Sequence, residues 1–369
     1  QEAPDKAPII LWVNEVPGFS SIKGIFLETG PFRVDANNVV SERNTSWTKT
    51  HSMLYIDSPV GTGFSFSDTE DAFANNSEED GGEIYEALKQ FFTLFNEFQA
   101  RDFYLAGEDY AASFIPNIVK RIETENAKGD FKINVKGFII GSPYLDIQQS
   151  HKGQALYDFG LIDMEQKKIF DETADKAINM VQNGQVTEGT QLGLKTYIGP
   201  DSLLAQFTGF EDYFSALASK PTPEAEWFQK FIDSKEVHKY LHVGVHKYIG
   251  INFSVLNHFA KEISAYHGGV IEEMLNKGYR VLIYAPQFNI FLPQSSITEI
   301  VNKLKWNGAD NYAKAPRKIW KANGEVAGYI KKADNFAYAI VRNAGNYAIQ
   351  DQPEFMLDLV EKFIYNKEF

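Results

Sequence analysis

The chain reads as an α/β protein, with a mostly parallel central sheet and a helical cap inserted between two of its strands. Continuous apolar runs alternate with helical patterns through residues 1–149 and again through 267–369, which suits parallel strands covered on both faces. Over residues 150–266 the rhythm gives way to helical patterns separated by breakers. The core therefore comes in two parts, 1–149 and 267–369, with the cap at 150–266 rising over the strand ends where open α/β sheets bind ligands.

The first strand is Pro8-Ile9-Ile10-Leu11-Trp12-Val13, closed by the turn Asn14-Glu15-Val16-Pro17-Gly18 and a short helix from Ser20. A second strand, Ser52 to Asp57, precedes a long helix from about Asp80 to Glu97, where Ile84, Leu88, Phe91, Phe92 and Phe95 recur at helical spacing. Strand Phe103–Ala106 runs through a tight turn into a helix over Ser113–Glu123, and further strands are expected at Val135–Ile140, Val281–Ala285 and Phe336–Val341. Within the cap, Glu165–Val181 and Glu224–Phe231 read as helices, broken by Gly199-Pro200 and Lys220-Pro221-Thr222-Pro223.

Composition narrows the function classes. A chain of 369 residues with 44% hydrophobic content can bury a large core, and no apolar run approaches the ~20 residues of a membrane span, so no membrane partner is expected. The formal charge of -13 argues against nucleic acid, which wants a basic face. With no cysteine there is neither a disulfide framework nor a thiolate metal site. His238, His242 and His246 recur every four residues, yet Gly244 interrupts their helix, and no metal or cofactor is expected. Gly61-Thr62-Gly63 lacks the lysine and spacing of a phosphate loop, and Lys331-Lys332 is a solvated charge pair. Three sequons, at Asn44, Asn75 and Asn252, suit a secreted or lysosomal/vesicular glycoprotein, as does a chain opening at Gln1 without a leader.

The turn at Gly107-Glu108-Asp109-Tyr110-Ala111 has the outline of a nucleophile elbow. Such a turn forces strand and helix backbones together, so it needs small residues two before and two after its tip; Gly107 and Ala111 meet that demand. The competing reading is an ordinary strand-to-helix turn with Asp109 as the N-cap.

Trp12 to Ser21 resembles the Trp-x-Asn/Gln-Gly-Gly-Pro-Gly-x-Ser-Ser segment of serine carboxypeptidases, and Leu54 to Ser65 is similar to their Asp-x-Pro-x-Gly-x-Gly-Phe-Ser signature. Gly107 to Ala112 resembles their Gly-Glu-Ser-Tyr-Ala-Gly elbow, and the resemblance runs on through Val281–Tyr284, Gly345-Asn346 and Asp351-Gln352-Pro353. The vitellogenic-carboxypeptidase-like group is the nearest branch. The resemblance implies an α/β-hydrolase fold, and also strands before the first one seen here. A separate N-terminal segment, or a second copy of the chain, is then expected to cover that sheet edge, or the edge is left open to pairing.

The departures from the family carry the functional expectation. Where the resemblance implies a serine nucleophile, an orienting acid and a histidine base, this chain has Asp109, Asn289 and Asn346. An asparagine has no basic nitrogen to shuttle a proton, and it carries no charge to steady an imidazolium. The oxyanion-hole glycines are replaced by Glu15 and Val16; Val resists positive φ, and Tyr110 N–H is the donor expected to remain. Phe19, Phe114, Phe288, Phe291 and Tyr347 bring bulk to the former reaction centre, either as plain packing or as the walls of an apolar slot. Asn14, Glu28 and Glu108 match positions that, by resemblance, hold a peptide's terminal carboxylate, with the two carboxyls sharing a proton.

The leading expectation is a non-hydrolytic serine-carboxypeptidase-like protein whose remodelled cleft binds a small aromatic or apolar molecule, with Asp109 or Glu15 pairing to its polar group, in a carrier or storage role. One alternative is an enzyme of different chemistry with Asp109 or Glu15 as base or nucleophile. Another is an engineered scaffold, which the absence of cysteine would suit.

Overall fold

The apolar runs pair into one twisted sheet. A computed structural model describes residues 4–13, 15–129 and 131–369. Its strands are β1 (Ile9–Val13), β2 (Phe32–Val34), β3 (Val40–Glu42), β4 (Ser52–Tyr55), β5 (Phe103–Glu108), β6 (Val135–Gly141), β7 (Arg280–Pro286), β8 (Lys318–Ala322), β9 (Glu325–Ala333) and β10 (Phe336–Val341). Eight of them form the main sheet in the order β4-β1-β5-β6-β7-β10-β9-β8, and β2 and β3 make a separate hairpin. From β4 to β10 each pairing is parallel; β9 and β8 are added antiparallel. Strand β4 pairs on one side, with β1, and so lies at the end of the sheet.

Alternate residues face alternate layers, as the pleat requires. Ile9, Leu11, Val13, Leu105, Ile140 and Ile283 point into a core shared with Leu88 of the Ser77–Leu94 helix, Ile118 of the Ala111–Lys128 helix and Met274 of the Gly268–Asn276 helix. Ile10, Trp12, Tyr104, Ile139 and Leu282 face the other layer, packed with Trp47 and with Leu359 and Phe363 of the Pro353–Ile364 helix. Burial on both faces explains why these strands read as unbroken apolar runs.

Each strand anticipated from an apolar run is present. The β8–β9 hairpin was not anticipated: Lys318, Lys321, Lys331 and Lys332 interrupt its apolar pattern, as charges commonly do at a sheet margin. Between β6 and β7 the described residues form helices, among them Met164–Gln182, Glu224–Ile232 and Lys235–Leu241. His242 adopts φ 56 and ends the last of these, so His238, His242 and His246 do not share a helix face. His238 lies edge-on to Phe64, and His246 stacks on Phe66 with ring centroids 3.6 Å apart.

Candidate functional site

The site begins at the end of β5, where Asp109 takes φ 53 before the Ala111–Lys128 helix starts. A Cβ added to Gly107 would lie 2.5 Å from Val13 O and 2.6 Å from Ala111 Cβ, so the small residues expected on either side of the tip are sterically required. Asp109 is not a side-chain N-cap. Tyr110 occupies the cap position without a side-chain bond, and Asp109 is held through its backbone, N–H to Gly141 O (2.9 Å) and C=O from Tyr144 N–H (3.1 Å). Its carboxyl is nearly buried, and its pKa lies well above the ordinary value because of burial and then repulsion from Glu15, with Lys152 and Lys23 opposing.

Tyr110 N–H was expected to face the site as a free oxyanion donor. It instead donates to the backbone C=O of Glu15 at 2.7 Å. The residue replacing a flexible glycine therefore turns its carbonyl, not an amide, toward the elbow, and an oxygen acceptor stands where an anion would need a donor.

Two loops at neighbouring strand ends bring Asn289 and Asn346 together. Asn289 follows β7, and its Oδ1 accepts from the N–H groups of Phe291 and Leu292, each at 2.9 Å. Its Nδ2 donates to Asn346 Oδ1 at 2.7 Å and to Ser142 Oγ at 3.2 Å. Asn346 N–H donates to Phe214 O at 3.2 Å, which fastens a cap segment over this loop. Both asparagines are fully buried.

On the other side of the elbow, carboxylate oxygens of Glu15, Glu28 and Glu108 lie within 4.8 Å of one another. Lys23, whose side chain is 18% exposed, pairs with Glu15 and stands 3.7 Å from Glu28. Tyr284 donates its hydroxyl to Glu108 at 2.6 Å. Burial lifts the Glu28 pKa to about 7, with Lys23 lowering it and Glu15 raising it further; Glu108 is raised well above its ordinary value by burial and then by Glu28. Burial alone would lower the Lys23 pKa, but the Glu15 and Glu28 carboxylates hold its ammonium above the usual lysine range. Glu15 was expected to be available to a ligand's cation, and Lys23 already occupies it. Asn14 lies outside the described residues.

The aromatic residues divide. Phe114 is fully buried, 5.3 Å from the Tyr110 ring and 5.7 Å from Phe259, and belongs to the core rather than to any slot. Phe19, Phe288, Phe291 and Tyr347 are half-buried, as is Val16. Phe214 of the cap packs on both Phe291 (5.1 Å) and Tyr347 (5.6 Å), and the Phe19 backbone bridges to Ile251 of the cap. Two shallow cavities, one of about 320 Å³ at Arg280 and Phe363 and one of about 280 Å³ at Trp306 and Tyr312, lie away from this centre.

Lys23 and Lys152 are the site residues that motif reading passed over. Lys23 sits just beyond the Trp12–Ser21 segment, and Lys152 opens the cap; neither lies in a motif, and a lone lysine is ordinarily solvated. Among the sequons, Asn44 and Asn75 are exposed, with Asn75 Nδ2 donating to Glu79 Oε2 at 3.1 Å, and Asn252 is half-buried with its Nδ2 donating to Gly61 O at 2.8 Å.

The serine carboxypeptidase family model matches residues 1–366. The chain is 37% identical over 372 residues to the venom serine carboxypeptidase of Apis mellifera, covering 99% of this chain and 79% of that protein. It is 33% identical over 372 residues to the vitellogenic carboxypeptidase of Aedes aegypti, covering 98% and 78%. Among solved structures, a prohormone-processing carboxypeptidase of Saccharomyces cerevisiae superposes with a TM-score of 0.80 at 20% identity, covering 98% of this chain and 83% of that one. That likeness establishes an α/β-hydrolase fold.

Proposed function

The chain belongs to the serine carboxypeptidase family, and on that premise we propose that it is a non-hydrolytic member whose former catalytic centre serves as the floor of a binding site for a small aromatic or apolar molecule. The observation that carries the loss of hydrolysis is the coincidence of two contacts. Asn289 and Asn346 are engaged in an amide pair with no basic group to take up a proton, and the Tyr110 N–H is consumed by Glu15 O. Acyl transfer needs a base and an oxyanion donor at the same point, and each is answered here by a group of the wrong kind.

The ligand reading rests on the rim. Phe19, Phe288, Phe291 and Tyr347 are half-buried beside a Glu15 carboxylate already paired with Lys23, which suits an apolar guest better than a cationic one. Next to Phe19, the cap adds exposed Ile251 and Phe253, the latter 68% exposed. A carrier or storage role outside the cell or in a vesicle fits the exposed sequons Asn44 and Asn75 and the venom and vitellogenic names of the relatives.

Two measurements test the reading together. Release of C-terminal amino acids from N-blocked dipeptides between pH 4 and pH 8 should not exceed the buffer blank. Titration with small aromatic alcohols should quench or shift tyrosine and tryptophan emission saturably, and the response should shrink in Phe291→Ala. Turnover by a homogeneous sample, or no saturable response to any aromatic probe, would sink the corresponding half.

A second reading, an enzyme of other chemistry, is favoured by one observation: Asp109 keeps the φ 53 elbow conformation while the buried Lys152 bears on it. Glu15 drops out of that reading because Lys23 neutralises it. Incubation with alkyl halides or epoxides followed by peptide mass mapping decides it, an ester on Asp109 being required.

A further inference from the structure

We propose that Lys152 is a carbonyl-capturing amine that condenses with an aldehyde or ketone entering beside Asp109 to give an imine. The inference rests on the reading of this site as a ligand mouth, and it names the chemical class of the guest.

Lys152 is 6% exposed, with its Nζ 3.9 Å from the Phe291 ring centroid and 4.4 Å from that of Tyr197. Phe291 belongs to the aromatic rim, so the amine sits against the wall that the guest would touch. Lys23 is embraced by carboxylates, but among the described residues none lies within ion-pair distance of Lys152. Asp109, on the elbow, is the charged group that acts on it; Tyr197 faces it from the Val186–Tyr197 helix, and the Asp171 carboxylate nearby is spent on Lys167. Two ring faces without a counter-ion make a poor substitute for water around an ammonium. Burial accordingly lowers the Lys152 pKa to about 7, with Asp109 pulling the other way.

The step balances with groups already present. The Nζ lone pair attacks the carbonyl carbon, the C–O π pair goes to oxygen, and the Asp109 carboxyl supplies that oxygen with a proton. Nitrogen then returns one of its two protons to the Asp109 carboxylate, Asp109 passes it to the carbinolamine hydroxyl, which leaves as water as C=N forms, and the second nitrogen proton goes back to Asp109. Amine and carbonyl become imine and water, with no oxidant or reductant needed.

The test uses the whole chain with benzaldehyde and sodium cyanoborohydride at pH 7, followed by intact mass and peptide mapping. Benzyl alcohol serves as the non-covalent probe, read by fluorescence. With its pKa near 7 in place of the ordinary 10.5, Lys152 has on the order of 10³ times more free amine at pH 7 than a surface lysine. One benzyl group should therefore appear on Lys152 at least ~10² times faster than on exposed lysines, and Lys152→Arg should abolish it. Because mapping is done on the unaltered protein, the result does not hang on the variant folding. Label spread over surface lysines, with Lys152 unmodified although both aromatics bind, overturns the imine and leaves the ligand reading standing. Failure of both aromatics to bind overturns the two together.

Discussion

Asn289 and Asn346 hold each other side chain to side chain, Nδ2 to Oδ1 at 2.7 Å, at the bottom of the loops that follow β7 and β10. The bond is one way to close a polar centre without charge: every polar atom of the Asn289 amide is used, two N–H bonds outward and two backbone N–H groups inward. Asn289→Ala would strand the N–H groups of Phe291 and Leu292 and should cost about 3 kcal/mol in urea unfolding, whereas Asn289→Asp keeps their acceptor and should cost about 1 kcal/mol or less. Equal losses for the two variants would show that the loop does not depend on this acceptor.

Restoring side chains alone should not restore a peptidase. In Asp109→Ser/Asn289→Asp/Asn346→His the Glu15 carbonyl still holds the Tyr110 N–H. Adding Glu15→Gly and Val16→Gly should raise kcat on a blocked dipeptide by about 10² or more, the usual worth of one oxyanion donor. If the triple variant already matches the quintuple one, the Tyr110–Glu15 bond opens freely and the argument from it fails.

Lys23 is the counter-ion that makes the Glu15, Glu28 and Glu108 cluster tolerable. Lys23→Met should destabilise the protein by about 3 kcal/mol at pH 7, since removing one partner leaves buried carboxylates uncompensated. At pH 4 the deficit should shrink, because Glu28 and Glu108 titrate above the ordinary carboxylate range and are protonated there. A deficit independent of pH would assign it to lost packing of the lysine stem.

Glu28 gives the cluster a pH signature of definite sign. Its folded pKa, about 7, lies above the ordinary 4.5, so between those values the folded chain holds a proton that the unfolded chain has released. The contribution is therefore complete below pH 4.5 and is lost as pH rises towards 7. Wild type should lose about 3 kcal/mol more than Glu28→Gln over that interval, and parallel stability curves for the two proteins would refute the assignment.

How much of this could be read from residues alone depended on whether the signal was local. Strands β1, β5, β6, β7 and β10 are legible because two-sided burial writes them as apolar runs, and the elbow is legible because Gly107 and Ala111 answer a steric demand inside one short segment. The β8–β9 hairpin carried a readable signal in Asn323-Gly324, both at positive φ as a tight hairpin turn requires, but its lysines masked the strand pattern. Lys23 and Lys152 were not legible. Their roles come from long-range folding that sets one among glutamates and the other between two rings, and a lone lysine letter looks the same in either place. The fate of the Tyr110 N–H was equally hidden, since it turns on the orientation of the Glu15 peptide plane, which the residue name suggests but does not dictate.

The crowding at Gly107, with Val13 O and Ala111 Cβ pressed against its bare α-carbon, separates what this bend inherits from what it is free to change. Its shape is maintained by contact between strand and helix, and no reaction is required to preserve it. A descendant that has stopped cutting peptides can therefore retain the sharp corner indefinitely and keep presenting whatever residue occupies the tip. The persistence of the corner here is testimony to packing; by itself it is silent on catalysis.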